Sequence, residues 1–114
     1  MPAPVVRLVR LHPERDADLP LPHYQTAGAA GADLVAAVTV PVTLQPLERT
    51  AIPTGLQIAL PDGYEGQVRA RSGVALKRGL AVPNAPGTID SDYRGELMVA
   101  VVNLSNGPLV IARG

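Results

Sequence analysis

Cysteine, tryptophan and phenylalanine are all missing from this 114-residue chain, and only three tyrosines supply aromatic rings. Without cysteine there is no disulfide, no thiol nucleophile and no cysteine-ligated zinc, which fits a reducing compartment. Without the larger aromatics the core must be built from Val, Leu, Ile and Ala. Net charge is missing too: ten basic and ten acidic residues cancel. No overall basic field exists to draw nucleic acid or an anionic membrane, so neither is an expected partner and any anion site must be local. No apolar run approaches the length of a membrane span, and Met1 is followed by Pro-Ala-Pro rather than a signal sequence. A soluble, cytoplasmic protein is expected.

What is abundant is equally informative. The hydrophobic content of 46% excludes a disordered chain, and the length suits one domain, 1–114, with a modest core. Twelve prolines and eleven glycines argue against long helices. The composition therefore reads as all-β, with many short strands between turns.

Along the chain, Val5 to Leu11 reads as a first strand with Arg7 and Arg10 facing solvent. His12 to Pro22 is polar and proline-flanked, hence a surface loop. Histidine is often catalytic, but His12 and His23 stand near no partner constellation, and surface positions suit them better. Thr26 to Val35 holds Gly28 and Gly31 among alanines, residues too small to bury much and suited to letting something else come close. Asp33 then stands where this turn enters an apolar segment; alone it is a turn aspartate.

Val38, Val40, Val42 and Leu44 alternate with polar positions as a half-buried strand, with Pro41 marking an edge or bulge. Leu56, Ile58 and Leu60 form another, and Gly66 to Arg71 returns with period two, placing Arg69 and Arg71 on one face. Ser72 to Gly79 is the one convincing helix, about 73–78. Ser72 reads as its N-cap, Lys77 and Arg78 suit its C-terminal dipole, and Gly79 reads as its stop. A helix N-terminus beside Arg71 makes a credible phosphate grip and, equally, an ordinary capped helix. Glu96 to Leu104 reads as a strand buried on both faces, and Leu109 starts one more.

The stretch around which these segments are organised is Asn84-Ala-Pro-Gly-Thr-Ile-Asp-Ser-Asp-Tyr-Arg-Gly-Glu96. Turn residues (Asn84, Pro86, Gly87, Gly95) bracket an extended Thr88-Ile89-Asp90, which makes a hairpin-like finger. Side chains alternate along extended backbone, so Ile89 can point into the protein while Asp90 points away. Two aspartates capping turns would be the plain reading. The finger also carries Asn84, the Tyr93 ring and Gly87 at one tight spot, and glycine with an aromatic plane suits close approach of a ligand. The finger therefore reads as the wall of a small-molecule pocket.

Taken together, the motifs resemble the trimeric dUTP diphosphatase (dUTPase) family over essentially the whole chain. Ala30-Gly-Ala-Asp-Leu34 resembles its first motif, Arg71-Ser-Gly73 its second, and the finger its third. The related dCTP deaminases typically carry a second serine after Arg-Ser, so Gly73 favours the diphosphatase.

The resemblance implies a jelly-roll β-barrel, usually a homotrimer with active sites between subunits, that hydrolyses dUTP to dUMP and pyrophosphate with Mg2+. It implies that Asp90 orients and activates the attacking water and contacts the sugar 3′-hydroxyl. Tyr93 would pack under the deoxyribose and leave no room for a 2′-hydroxyl. Asn84 and the finger's backbone (Gly87, Thr88, Ile89) would meet the uracil edge. Arg71, Ser72 and Gly73 would hold phosphates, and Asp33 would bind the metal through water. The family continues with a fourth motif, whose first glycine aligns with Gly114, and with a glycine-rich arm. The chain ending at Gly114 is thus expected to lack the C-terminal strands and arm, to turn over dUTP slowly and to form a weakened trimer or some other association in its place. A catalytically inactive deoxyuridine-nucleotide-binding module is the alternative.

Overall fold

A computed structural model describes residues 3–114; Met1 and Pro2, part of the N-terminus read above as no leader, lie outside the described residues. Nine short strands and one helix follow one another: β1 (Arg7–Arg10), β2 (Val42–Leu44), β3 (Arg49–Pro53), β4 (Leu56–Ala59), β5 (Gly66–Val68), α1 (Ser72–Arg78), β6 (Leu80–Ala81), β7 (Gly87–Ile89), β8 (Met98–Asn103) and β9 (Leu109–Ile111). The proline and glycine content keeps them short; β8, the longest, has six residues. The expected all-β chain with one short helix is what forms.

Every strand pair is antiparallel, and partners lie far apart in sequence: β1 with β4, β2 with β9, β5 with β7, and β8 between β3 and β6. Register explains the core. Val42 faces Ile111 and Leu44 faces Leu109, so the β2–β9 pair turns one apolar face inward, while Thr43 and Val110 face the other way. Leu44, Leu109 and Ile111 join Val38, Ile52 and Val101 in the core cluster. Each such aliphatic side chain contributes about 1.5–3 kcal/mol on full burial. Three polar residues, Asp16, Thr54 and Asn103, are buried to a similar degree, Asn103 most completely. Asn103 has no exposed surface; its amide donates to the carbonyls of Leu44 (2.8 Å) and Gly107 (2.9 Å), and its oxygen accepts from the backbone N–H and hydroxyl of Ser105.

Several expectations need correction. The alternating run from Val38 is not one strand: β2 begins only after Pro41, and Val40 is exposed. Pro41 cannot donate to a ladder, so pairing starts at the next residue. The strand expected from Gly66 to Arg71 ends at Val68, so Arg69 and Arg71 share no strand face. In β8 Met98 is exposed while Val101 and Asn103 are buried, so this strand is not covered on both faces. Arg10 is half-buried and donates to the Leu19 carbonyl at 2.6 Å instead of facing solvent.

The largest departure is the segment from His12 to Pro22. It is no plain surface loop, because Leu19 and Asp16 are both buried, Asp16 to 2% exposure. Arg15 grips the Asp16 carboxylate with two bonds of 2.8 Å each. Arg113, near the other end of the chain, donates to Asp16 (3.2 Å), Asp18 (2.6 Å) and the Arg15 carbonyl (2.7 Å). Hydrogen bonds from Arg15 outweigh the cost of burial and, with Arg113, hold the Asp16 pKa down from 3.8 to about 2. Gly55 (φ 69°) packs against this carboxylate so closely that a Cβ would collide with its Oδ2.

Candidate functional site

The finger rests on β7, which pairs with β5 through Gly66 opposite Ile89, Gln67 opposite Thr88 and Val68 opposite Gly87. Burial alternates as extended backbone requires: Gly87 and Ile89 are buried, Thr88 and Asp90 exposed. Ile89 has room because Gly66 has no side chain; a Cβ there would meet the Ile89 Cδ1 at 3.0 Å. Likewise a Cβ on Gly87 would lie 3.1 Å from the Asn84 side-chain nitrogen. The finger's entry is a turn in which the Ala85 N–H donates to the Val82 carbonyl at 3.0 Å, followed by a cis Ala85–Pro86 bond.

After β7 the chain turns again, the Tyr93 N–H donating to the Asp90 carbonyl at 3.1 Å. Tyr93 and Asp90 both line the cavity beneath the finger. The Tyr93 hydroxyl donates to the Glu96 carbonyl at 2.7 Å and lies 2.5 Å from where a Cβ on Gly95 would stand. With its polar tip engaged, the ring is free to present a face, and 42% of the residue is exposed.

A cavity of about 200 Å³ opens beneath the finger. Asn84, Thr88, Asp90 and Tyr93 supply its polar groups; Gly87, Ile89, Val68, Val82 and the β8 side, with Leu97 to Ala100, supply the rest. The mix of apolar walls and a few convergent polar groups is that of a small-molecule site, and the volume lies below the roughly 300–1,000 Å³ of whole ligand sites. It suits a base-and-sugar-sized fragment, with any charged tail outside. Among the described residues no ion pair engages the Asp90 carboxylate at its rim.

Six expected site residues thus gather here: Asn84, Gly87, Thr88, Ile89, Asp90 and Tyr93. Four others, Arg71, Ser72, Gly73 and Asp33, do not line this cavity. Arg71 and Asp33 meet each other instead, at 3.4 Å, both partly exposed. Ser72 is not the N-cap: Arg71 holds that position with extended backbone (φ −69°, ψ 137°) and accepts from the Ala75 N–H at 2.9 Å, and Ser72 is the first helical residue. Arg71 makes no side-chain capping bond, while Gly79 ends the helix in the left-handed conformation, as expected. The helix buries none of its residues, leaving Leu76 87% exposed. Gly28 and Gly31 face open space, and among the described residues nothing fills the room they leave.

His12 and His23 stand apart from the cavity, both exposed; the His23 ring contacts the Leu21 carbonyl (3.0 Å) and Gln25 (3.1 Å). The cavity residues that sequence reasoning missed are aliphatic: Val68, Val82 and those from Leu97 to Ala100. Val68 and the residues from Leu97 to Ala100 were signalled only by lying in expected strands that flank the finger, and Val82 by nothing in the sequence.

Comparison with known proteins bears on the family and the fold. The dUTPase family model matches residues 17–114. The deoxyuridine 5′-triphosphate nucleotidohydrolase of Aquifex aeolicus is 60% identical over 97 residues, covering 85% of this chain and 65% of that one. Its counterpart from Wolbachia pipientis subsp. Culex pipiens is 62% identical over 96 residues, covering 84% and 63%. The chain therefore spans just under two thirds of the length of these relatives. In three dimensions it superposes on a mutant dUTPase from phage phi11 of S. aureus, described with a structural Mg(II) ion, with a TM-score of 0.83 at 24% identity, covering 96% of this chain and 84% of that one. A Staphylococcus bacteriophage 80alpha dUTPase mutant solved with dUpNHpp gives 0.76 at 29% identity, covering 89% and 55%. The fold is the jelly roll of those enzymes, and by its match to the family model and its identity to these relatives the chain belongs to the dUTPase family.

Proposed function

We propose that this chain hydrolyses dUTP to dUMP and pyrophosphate, with the nucleoside half of the substrate in the cavity under the finger. The observation that carries the reading is the convergence of Asn84, Asp90 and Tyr93 on one cavity of nucleoside scale. Water adds across the α–β phosphoanhydride and pyrophosphate leaves. Asp90, with its carboxylate free of ion pairs among the described residues, orients that water and takes its proton, and its place on the same cavity as Tyr93 lets it meet the sugar 3′-hydroxyl. Tyr93 lies against the deoxyribose, where a 2′-hydroxyl would collide with the ring. Asn84 and the backbone of Gly87, Thr88 and Ile89 meet the uracil edge.

Arg71, Ser72 and Gly73 would grip the phosphates, and Asp33 would hold Mg2+ through water. The donor set fits such an ion: no group of three potential metal-ligating side chains exists among the described residues, and Mg2+ is commonly held by one or two carboxylates with waters and substrate phosphates. Bound there, Mg2+ would neutralise phosphate charge. Because this grip does not line the nucleoside cavity, a second copy of the chain supplies it, which makes a homotrimer with sites between subunits the fitting assembly. The absence of cysteine supports a cytoplasmic setting. Among the described residues no helix is long and apolar enough to cross a membrane.

The same separation favours one other reading, a deoxyuridine-nucleotide-binding module without turnover. Pyrophosphate release from dUTP, with dCTP, dTTP and UTP as controls, decides between them. Release from dUTP alone supports the enzyme; tight dUMP binding without release selects the module; neither one removes the site.

A further inference from the structure

The returning limb of the finger, from Tyr93 to Leu97, lies on the turn between β3 and β4, and the bonds between the two are unusually dense. Thr54, 4% exposed, donates its hydroxyl to the Leu97 carbonyl at 2.6 Å and accepts from the Leu56 N–H at 3.2 Å. The Thr54 N–H reaches the same carbonyl at 3.3 Å, and the Leu97 N–H donates to the Leu56 carbonyl at 2.8 Å. One residue earlier, the Glu96 carboxylate accepts from the Gly55 N–H at 3.0 Å. The Gln57 amide donates to the Arg94 carbonyl. The limb is thus fixed at Arg94, Glu96 and Leu97.

These bonds leave one atom in the middle with a different use. The Glu96 carbonyl accepts the Tyr93 hydroxyl at 2.7 Å, and the ring swings back over Gly95 to reach it. Where the Glu96 peptide stands therefore decides where the ring stands. The peptide itself is pinned by the Leu97 N–H on the Leu56 carbonyl, and its two flanks by the Glu96 carboxylate on Gly55 and the Thr54 hydroxyl on the Leu97 carbonyl; neither Thr54 nor Glu96 lines the cavity. A buried hydroxyl with both partners satisfied fixes geometry more strongly than a solvated one, since a bond left unmade there has no water to replace it.

We propose that Thr54 and Glu96 are positioning residues that act through the Glu96 carbonyl to hold the Tyr93 ring, and so set the preference for deoxyribose over ribose. The second half rests on the reading of Tyr93 as the sugar platform. Neither residue touches the ligand. A shift of the ring away from the cavity opens the space that a 2′-hydroxyl needs, so loss of either anchor relaxes selectivity more than it weakens dUMP binding.

The test uses the 114-residue chain labelled with 3-fluorotyrosine, whose three ¹⁹F resonances include one assigned to Tyr93 by its loss in Tyr93→Phe. Thr54→Val and Glu96→Ala are compared with Thr54→Ser and Glu96→Gln, which keep a hydroxyl and an acceptor. The first pair should shift or broaden the Tyr93 resonance and leave Tyr24 and Tyr64 in place. The calorimetric dUMP-over-UMP affinity ratio should fall about five-fold, the effect of losing one hydrogen bond. The second pair should restore both readouts. Should Thr54→Val fail to fold, the variants at the half-buried Glu96 carry the test alone. An unmoved Tyr93 resonance in the disruptive variants overturns the positioning role. A resonance that moves in a parental chain with no preference for dUMP over UMP keeps the ring anchor and overturns its link to sugar selection.

Discussion

Two Asp-x-Asp pairs occur in this chain, Asp16-Ala-Asp18 and Asp90-Ser-Asp92, both in turn-rich stretches rich in polar residues. Their fates are opposite. Asp16 is buried at 2% exposure under two arginines, and its pKa is pulled down to about 2. Asp90 is exposed at a cavity rim and, among the described residues, has no ion pair. The first carboxylate has its valences filled by the protein, so its charge serves the fold. The second has its valences open, so its charge is available to a ligand. What separates them is a pair of partners, Arg15 next to Asp16 in sequence and Arg113 97 residues away, and spacing within the Asp-x-Asp motif has no bearing on it.

The contrast breaks most visibly on Asp90. With dUTP as substrate and the reading proposed above, Asp90→Asn should lower pyrophosphate release by about 10²-fold or more, the scale of a general base. Its unfolding midpoint should stay within the scatter of the parental chain, because nothing in the fold leans on that carboxylate. A variant that hydrolyses dUTP at the parental rate would put Asp90 with Asp16 as a structural group.

Asp16→Asn should do the reverse. The amide keeps one acceptor but turns a donor toward a guanidinium, so a charged bond worth about 1.5–3 kcal/mol is lost at a buried position. For a chain of this length that corresponds to a melting temperature lower by about 5–10 °C. The dUMP affinity, read by calorimetry below the transition, should not change. An unaltered melting temperature would mean that the Arg15–Asp16–Arg113 cluster contributes nothing net to the fold.

This difference also explains what could be read without a structure. The finger was legible because its information is local: Gly87, Ile89, Asp90 and Tyr93 lie within seven residues, and alternation along extended backbone sorts inward from outward. All-β architecture was legible from the prolines, the glycines and the missing large aromatics. The buried Asp16 was not, since its burial depends on Arg113 arriving from β9 and on Gly55 leaving space. Strand ends were misjudged where hydrophobic alternation ran on past a residue that stops pairing, as at Pro41. Ser72 was misplaced by one residue because a helix start is fixed by the backbone angles of Arg71, which its side chain does not reveal. The four residues outside the cavity, Arg71, Ser72, Gly73 and Asp33, mark the limit of a motif: order along the chain does not place residues around one cavity.

Acid should separate the two pairs more gently. The Asp16 pKa in the folded chain lies below its ordinary value of 3.8, at about 2, and Asp18 is lowered too, chiefly by its hydrogen bond from Arg113. A depressed carboxylate pKa gives stability that is complete above the unfolded value and is lost as pH falls through the folded one. Urea midpoints should therefore be flat above about pH 5 and fall between pH 3.8 and about 2, with a shallower fall in Asp16→Asn. Equal slopes for the two chains would assign the acid response to other carboxylates.

The smallest effect belongs to Asp18, which shares Arg113 with Asp16 but stays largely in water. Its bond to Arg113 is shorter (2.6 Å against 3.2 Å for Asp16), yet the Asp18 side chain is 64% exposed. Distance alone would rank Asp18 as the stronger partner. Burial reverses the ranking: solvent screens an exposed pair and readily rehydrates it when broken, whereas the Asp16 carboxylate has no water to fall back on. Asp18→Asn should accordingly lower the melting temperature by less than Asp16→Asn does, and raising the salt concentration should shrink that loss further. A melting temperature lowered as far by Asp18→Asn as by Asp16→Asn, unresponsive to salt, would show that Arg113 is held by the shorter bond and that burial of Asp16 is incidental.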